Sequence, residues 1–359
     1  MTEPCKRERK RADHVRQAAR FRKRHSFGRN REDPHRFHYV RLKPDTTVAT
    51  VESAFRRTLY DLSVADPGRP ARPARSETRE VVELRAIREA HPELSDAVDM
   101  HIELLELHRR VLGRVPLPWF ELNADVFEKH NASGEALLRF QDIKIETSDL
   151  RLLMRQIADV LRRHGALEDA DYQRIQTIGR DMNLLEFAGR WYRSGARHHS
   201  VAAIGIAHHH VSAGTHEPTD EALDQVLALA MRPWLTRCAE VVQQRAELGL
   251  WAHAHCALCG SEPDFAVITP AAERHLICGR CALRWKFESL TCPYCRNNDR
   301  SRITSFATPD GQYRVYACDE CHRYLKAYDA RRATRPVMPV VDSVATLPLD
   351  AYAMQRGYS

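Results

Sequence analysis

The sequence predicts a mainly α-helical protein with a small-β metal region, in which a helical N-terminal domain is followed by two tandem four-cysteine modules. Apolar residues recur at helical spacing between residues 81 and 250, and short runs typical of β-strands follow from residue 251. Four C-x-x-C pairs lie at the ends of those short runs. A chain of 359 residues, 43% of them hydrophobic, is long enough for more than one core.

Helical spacing is clearest in the middle of the chain. Leu153, Ile157 and Leu161 fall on one face of a helix, and similar patterns extend over residues 81–250. Pro233 lies within another helical pattern, and proline is favoured at the first position of a helix. We therefore predict an all-helical domain over 81–250, in which a new helix begins at Pro233.

The two ends of the chain have different compositions. Residues 1–75 hold 20 basic and 9 acidic side chains without sustained apolar periodicity, so we predict a basic, disordered extension over residues 1–80. Such an arm can bind nucleic acid through phosphate neutralisation, and we expect nucleic-acid contact only through this arm. Residues 333–359 contain prolines without clear periodicity, and we predict an irregular C-terminal tail.

The compartment is inferred from targeting signals and cysteine usage. No run of 18 apolar residues occurs, and the arginine-rich N-terminus has no apolar signal-peptide core, so we expect neither membrane insertion nor export. The chain has 10 cysteines. In the reducing cytoplasm, where we place the protein, C-x-x-C pairs favour metal ligation over disulfides.

The cysteine spacing within residues 251–332 predicts two metal sites, because two facing C-x-x-C pairs supply the four sulfurs of a tetrahedral site. In chain order the pairs form C-x2-C-x18-C-x2-C over 256–281 and C-x2-C-x22-C-x2-C over 292–321, each with room for a β-hairpin. The predicted ligands are Cys256, Cys259, Cys278, Cys281, Cys292, Cys295, Cys318 and Cys321. We prefer this consecutive pairing, and a crossed arrangement in which the two middle pairs share a metal stays open.

The ligand set leaves zinc and iron open, because four thiolates suit a structural zinc or a single rubredoxin-type iron. In either case protein fills all four positions, so neither metal offers an open position for hydrolysis. The sequence also lacks the common phosphate-binding, dinucleotide-binding, serine-hydrolase and zinc-protease motifs, and we predict that the protein is not an enzyme. Cys5, Cys238 and the histidines at 198–200 and 208–210 are interpreted as bystanders.

Four segments around the cysteines carry a more specific signal: CALCGSEP at 256–263, CGRCALRWKF at 278–287, LTCPYCRNND at 290–299 and CDECHRYLKAYD at 318–329. Together they resemble the FdhE family of formate dehydrogenase accessory proteins. Tyr324 and Lys326 after the fourth pair strengthen the resemblance, because a generic ribbon does not require them.

This resemblance implies a cytoplasmic maturation factor that binds the catalytic subunit of a molybdenum- or tungsten-containing formate dehydrogenase and does not itself turn over formate. It also implies two rubredoxin-like modules whose eight cysteines hold two iron ions. Ala282, Arg296 and His322 depart from the glycine often found after such cysteine pairs, whereas Gly260 conforms to it.

Three further residues, Trp285, Tyr324 and Lys326, lie on or beside the cysteine pairs, and we predict that they contact the partner.

Two other functions stay open. Paired zinc ribbons with a basic arm are typical of nucleic-acid-binding proteins, although residues 256–332 lack a dense basic and aromatic stripe. The other is a rubredoxin-type electron carrier, which does not need so long a helical domain.

Overall fold

The structure is a computed structural model, and it describes residues 77–119, 122–194, 221–245, 248, 251–333 and 335–359. These residues belong to one compact unit that begins at Arg75. The predicted basic extension lies outside the described residues, except that its last residues already belong to a helix that begins at Arg79.

Seven α-helices precede the cysteine region in the described chain. They are α1 (Arg79–Ala90), α2 (Ser95–Leu112), α3 (Ala124–Ser133), α4 (Thr147–Arg163), α5 (Asp169–Ile178), α6 (Leu184–Arg193) and α7 (Glu221–Arg245). Helix α4 lies centrally and packs against α2, α5 and α7. Its buried residues include Leu150, Leu153, Ile157 and Leu161, at the three- and four-residue spacing that places side chains on one helix face. The helical character predicted from this spacing is confirmed.

Helix α7 corrects the prediction of a new helix at Pro233, because it continues through that residue. Proline has no backbone N–H, so the carbonyl of Leu229 loses its usual helical donor. His108 of α2 lies near this point, and desolvation lowers its pKa to about 3, so its ring is neutral. No helix in the described part of the chain is long and apolar enough to cross a bilayer.

The cysteine region forms one six-stranded sheet. Its strands are β1 (Pro263–Ile268), β2 (Arg274–Cys278), β3 (Arg284–Phe287), β4 (Ile303–Ala307), β5 (Tyr313–Cys318) and β6 (Tyr324–Asp329). The strand order is β3-β2-β1-β6-β5-β4. Each module contributes three antiparallel strands, and the modules join through parallel pairing of β1 with β6, from Phe265 opposite Lys326 to Ile268 opposite Asp329.

The C-terminal segment is not the irregular tail that the sequence predicts. It forms α8 (Pro339–Ala345) and α9 (Leu347–Gln355). Met338, Val341 and Val344 are buried in a cluster with residues of α1 and α2. Each helix is under three turns long, too short for its periodicity to stand out, and packing rather than local propensity stabilises it.

A buried ion pair attaches this segment to the sheet. The Lys326 Nζ lies 2.6 Å from an Asp350 carboxylate oxygen, and the two side chains are 1% and 0% exposed. The Tyr324 hydroxyl donates a 2.7 Å hydrogen bond to the other oxygen of Asp350. Both oxygens of this carboxylate therefore have partners, which a buried charge requires.

We expect Asp350→Asn to destabilise the fold by about 3–5 kcal/mol, because it leaves the Lys326 ammonium buried without a counter-charge. Urea unfolding followed by circular dichroism measures this change. Replacing both partners with Lys326→Met and Asp350→Leu should cost less, since no unpaired charge then remains.

Lys286→Met is the matched control, because Lys286 contacts Glu273 at the same 2.6 Å distance on the surface. Exposed ion pairs contribute little to stability, so this variant should unfold close to wild type. An effect of Asp350→Asn no larger than that of Lys286→Met would contradict the importance of the buried pair.

Candidate metal centres

Each of the four C-x-x-C pairs forms the same closed turn. The backbone N–H of the residue after the second cysteine donates to the carbonyl of the first at 2.9–3.0 Å. The residues in this position are Gly260, Ala282, Arg296 and His322, and all four have a positive φ, between 55° and 71°. This left-handed conformation costs an L-residue roughly 1–2 kcal/mol. Ala282, Arg296 and His322 therefore adopt the same turn as Gly260, but their backbone is strained in this conformation.

The turns bring the eight cysteines together as two consecutive groups. The first site contains Cys256, Cys259, Cys278 and Cys281, and the second contains Cys292, Cys295, Cys318 and Cys321. Within each site the sulfur atoms all lie within 4.8 Å of one another, so consecutive rather than crossed pairing is observed.

The sulfur separations fit a tetrahedral metal ion. Sγ–Sγ distances are 3.5, 3.5 and 3.8 Å in the first site and 3.7 and 3.6 Å in the second. Four sulfurs at about 2.3 Å from a central ion are about 3.8 Å apart. None of the described cysteines forms a disulfide. Either site can therefore hold a four-thiolate ion.

The pKa values of the thiols in the first site explain why ionisation of all its cysteines requires a bound cation. Burial raises the pKa of Cys256 and Cys281 well above the usual range for thiols. Burial also opposes ionisation of Cys278, yet hydrogen bonds from the other three thiols lower its pKa well below that range. The protein itself thus favours a thiolate at Cys278 but thiols at Cys256 and Cys281, and only a bound cation favours ionisation of all four cysteines.

The first site lies where the helices meet the sheet. All four of its cysteines are buried and belong to the main hydrophobic core with residues of α4, α6 and α7. Backbone N–H groups of Leu137 and Leu138 donate to the carbonyls of Ala257 and Leu258, inside the first cysteine pair, at 2.9 Å each. The Tyr192 hydroxyl of α6 donates to the Leu138 carbonyl at 2.8 Å.

Arg280 lies inside the second cysteine pair of this site and is 1% exposed. Its guanidinium carbon lies 4.2 Å from the Trp191 ring centroid. It donates to the carbonyls of Tyr192 and Trp191 at 3.2 and 3.5 Å, at the C-terminal end of α6. Burial lowers the pKa of Arg280, whereas its charge interactions with groups of the first site and with Asp224 act to raise it.

The second site uses the same turns in a more open position. The Cys295 side chain is exposed and that of Cys321 is half-buried, whereas Cys292 and Cys318 are buried. Asn297 Nδ2 donates to the Cys318 sulfur at 3.6 Å. Burial opposes ionisation of the Cys318 thiol. Hydrogen bonds from the backbone of Cys321 and Glu320 nevertheless lower its pKa to about 7.

The structure corrects the prediction that Trp285 and Lys326 contact a partner, because both side chains are 1% exposed. The Trp285 indole donates to the His253 carbonyl at 3.1 Å, and Lys326 is paired with Asp350. Tyr324 is partly exposed, but its hydroxyl is also bonded to Asp350. All three residues hold the modules to neighbouring parts of the same chain.

Among the residues that the structure describes, no other cysteine or histidine joins these sites. Cys238 of α7 is buried, and burial raises its pKa to about 12, so it is an unreactive thiol. Cys5 and the histidines at 198–200 and 208–210 lie outside the described residues. Sequence reasoning missed Arg280, although its position inside a predicted ligand pair was a usable signal.

Comparisons with known proteins agree with this arrangement. No family model matches the chain. An FdhE homologue of Haemophilus ducreyi is 22% identical over 322 residues, covering 89% of this chain and 95% of that protein. An FdhE homologue of Shewanella oneidensis is 35% identical over 107 residues, which are 29% of this chain and 35% of that relative. This second match therefore spans about a third of the Shewanella protein.

A solved structure shares the fold. The crystal structure of the FdhE protein from Pseudomonas aeruginosa matches with a TM-score of 0.50, covering 78% of this chain and 92% of that one at 18% identity. Over nearly its full length the chain is thus similar in sequence to a curated FdhE homologue, and it shares its fold with the FdhE protein of Pseudomonas aeruginosa.

Proposed function

We propose that the chain is a cytoplasmic, non-enzymatic maturation factor that binds the catalytic subunit of a molybdenum- or tungsten-containing formate dehydrogenase during its assembly. The observation that carries this proposal is the attachment of two closed four-cysteine sites to a helical body in a chain that is similar to FdhE homologues. A site whose four positions are all protein sulfur has no position left for a substrate. Binding a client protein fits this arrangement better than turnover does.

We propose iron as the metal in both sites, with zinc as the alternative. Both ions fit four thiolates at the observed sulfur separations. Iron would supply a one-electron couple, whereas zinc would contribute only to folding. In either case the eight cysteines act as ligands, and the turns of the C-x-x-C pairs orient them.

We further propose that the client docks on an apolar patch of the helical domain, made of the loop residues Leu117, Trp119 and Met182 together with Leu152 of α4. Leu117, Trp119 and Met182 are 72%, 77% and 92% exposed, which is unusual for such large apolar side chains. Two sets of contacts bring the patch together at the start of α4. Arg114 pairs with Asp149 at 3.4 Å, and Arg151 donates to the carbonyls of Gly179 and Asp181 at 2.8 and 3.2 Å.

The central test is co-purification of the full chain with the formate dehydrogenase catalytic subunit from the organism that encodes both. We expect the wild-type chain to recover that subunit, and Cys318→Ser combined with Cys321→Ser to lose it. Mass spectrometry identifies the recovered proteins. Recovery of nucleic acid or ribosomal proteins in place of the subunit would instead favour the zinc-ribbon nucleic-acid-binding reading.

The patch predicts a separate result with purified proteins. Trp119→Ala and Met182→Ala should each raise the Kd for the catalytic subunit, the tryptophan change by about tenfold or more, because exposed aromatic anchors contribute most binding energy. Val82→Ala is the matched control, since Val82 is an apolar side chain that is 52% exposed on a different element, α1. Equal Kd values for Trp119→Ala and Val82→Ala would place the docking surface elsewhere.

Burial predicts that the two sites release metal at different rates. With zinc loaded into both sites and a chromogenic chelator in excess, we expect two kinetic phases, the faster from the second site, because Cys295 is exposed there. Cys292→Ser with Cys295→Ser should abolish the fast phase, and Cys256→Ser with Cys259→Ser the slow one. A single phase, or the opposite assignment, would contradict this difference.

A further inference from the structure

Arg280 presents an unusual electrostatic problem. It is a fully buried cation, and its hydrogen bonds within the described part of the chain go to no carboxylate, although the negative charge of Asp224 acts to raise its pKa. Its polar contacts are two backbone carbonyls of α6, and its Nε atom is buried without a hydrogen-bond partner. Carbonyls at a helix C-terminus carry only partial negative charge, so they offset part of the cost of burying the guanidinium.

The second site offers a natural contrast. Arg323 follows Cys321 by two residues, and its guanidinium lies 3.6 Å from the Tyr294 ring centroid, much as Arg280 lies over Trp191. Arg323, however, donates to both carboxylate oxygens of Glu262, at 3.0 and 2.7 Å. Its charge is therefore already neutralised by a bidentate ion pair, whereas Arg280 is hydrogen-bonded to backbone carbonyls instead of a carboxylate.

We propose that Arg280 is the internal counter-charge of the first metal site and ties the charge of that site to the C-terminal end of α6. Four thiolates with a divalent cation carry two net negative charges, and a buried positive group inside the ligand loop stabilises them. The same guanidinium holds the carbonyls of Trp191 and Tyr192. Arg280 is a positioning residue, and this inference depends on metal occupancy but not on the proposed partner.

The first test measures zinc affinity in the full chain carrying Cys292→Ser and Cys295→Ser, so that only the first site binds. We expect Arg280→Gln to weaken zinc binding by about 10–100-fold, the range found for residues that contact metal ligands. Arg323→Gln is measured against the second site in the Cys256→Ser, Cys259→Ser background and should change affinity much less. Equal losses for both arginines would overturn the proposal.

The second test separates charge from packing. With iron in the first site, reduction from the ferric to the ferrous state adds one negative charge, which Arg280 stabilises. Arg280→Gln should therefore lower the reduction potential of this site, by 59 mV for a tenfold change in the one-electron equilibrium. Arg280→Lys retains the charge and should restore most of the potential. An unchanged potential in Arg280→Gln would leave Arg280 a purely structural residue.

The contact between Arg280 and α6 can be tested separately, by hydrogen exchange. In wild-type protein, chelation should speed hydrogen exchange of α6 amides, and Arg280→Gln should speed the same exchange with zinc still bound. The zinc content of the second site, measured on the same samples, shows that the variant is folded. Failure of zinc binding at both sites in wild type would refute the proposed metals, whereas unaltered α6 exchange with normal zinc binding would refute the tie alone.

Discussion

Burial of four ionisable sulfurs at the contact between helices and sheet is the constraint on which the rest of this structure depends. The first site belongs to the same core as α4, α6 and α7 and is contacted from both layers. The sulfurs can be ionised together only around a cation, and an ionised cluster needs nearby positive charge. Arg280 meets this second need while contacting the end of α6. Metal binding and helix–sheet packing are therefore physically coupled at this point.

A second set of buried charges fixes the other side of the sheet. Asp350 of α9 accepts from Tyr324 and Lys326 of β6, while Asp342 of α8 accepts from the Tyr313 hydroxyl at 2.9 Å. The short C-terminal helices also pack on α1 and α2. They thus connect the first described helices to the last strands of the sheet. A polar network of this kind specifies one arrangement, because any displacement leaves a buried charge unpaired.

The two metal sites show how one local motif acquires two environments. All four cysteine pairs share the same turn, the same backbone hydrogen bonds and the same left-handed residue. The first site is enclosed by the helices, whereas the second leaves Cys295 exposed and has its nearby arginine neutralised by Glu262. A metal ion in the first site is therefore enclosed by protein, whereas one in the second site is accessible to solvent.

The sequence alone determined the eight ligand cysteines, the helical spacing of α4 and the hairpin between the cysteine pairs of each module, because these features arise from contacts close in the chain. Only the tertiary structure decided that β1 pairs with β6 and that Lys326 and Trp285 point inward. It also showed that α7 continues past Pro233. Each of these outcomes depends on residues distant in sequence, which local patterns do not encode.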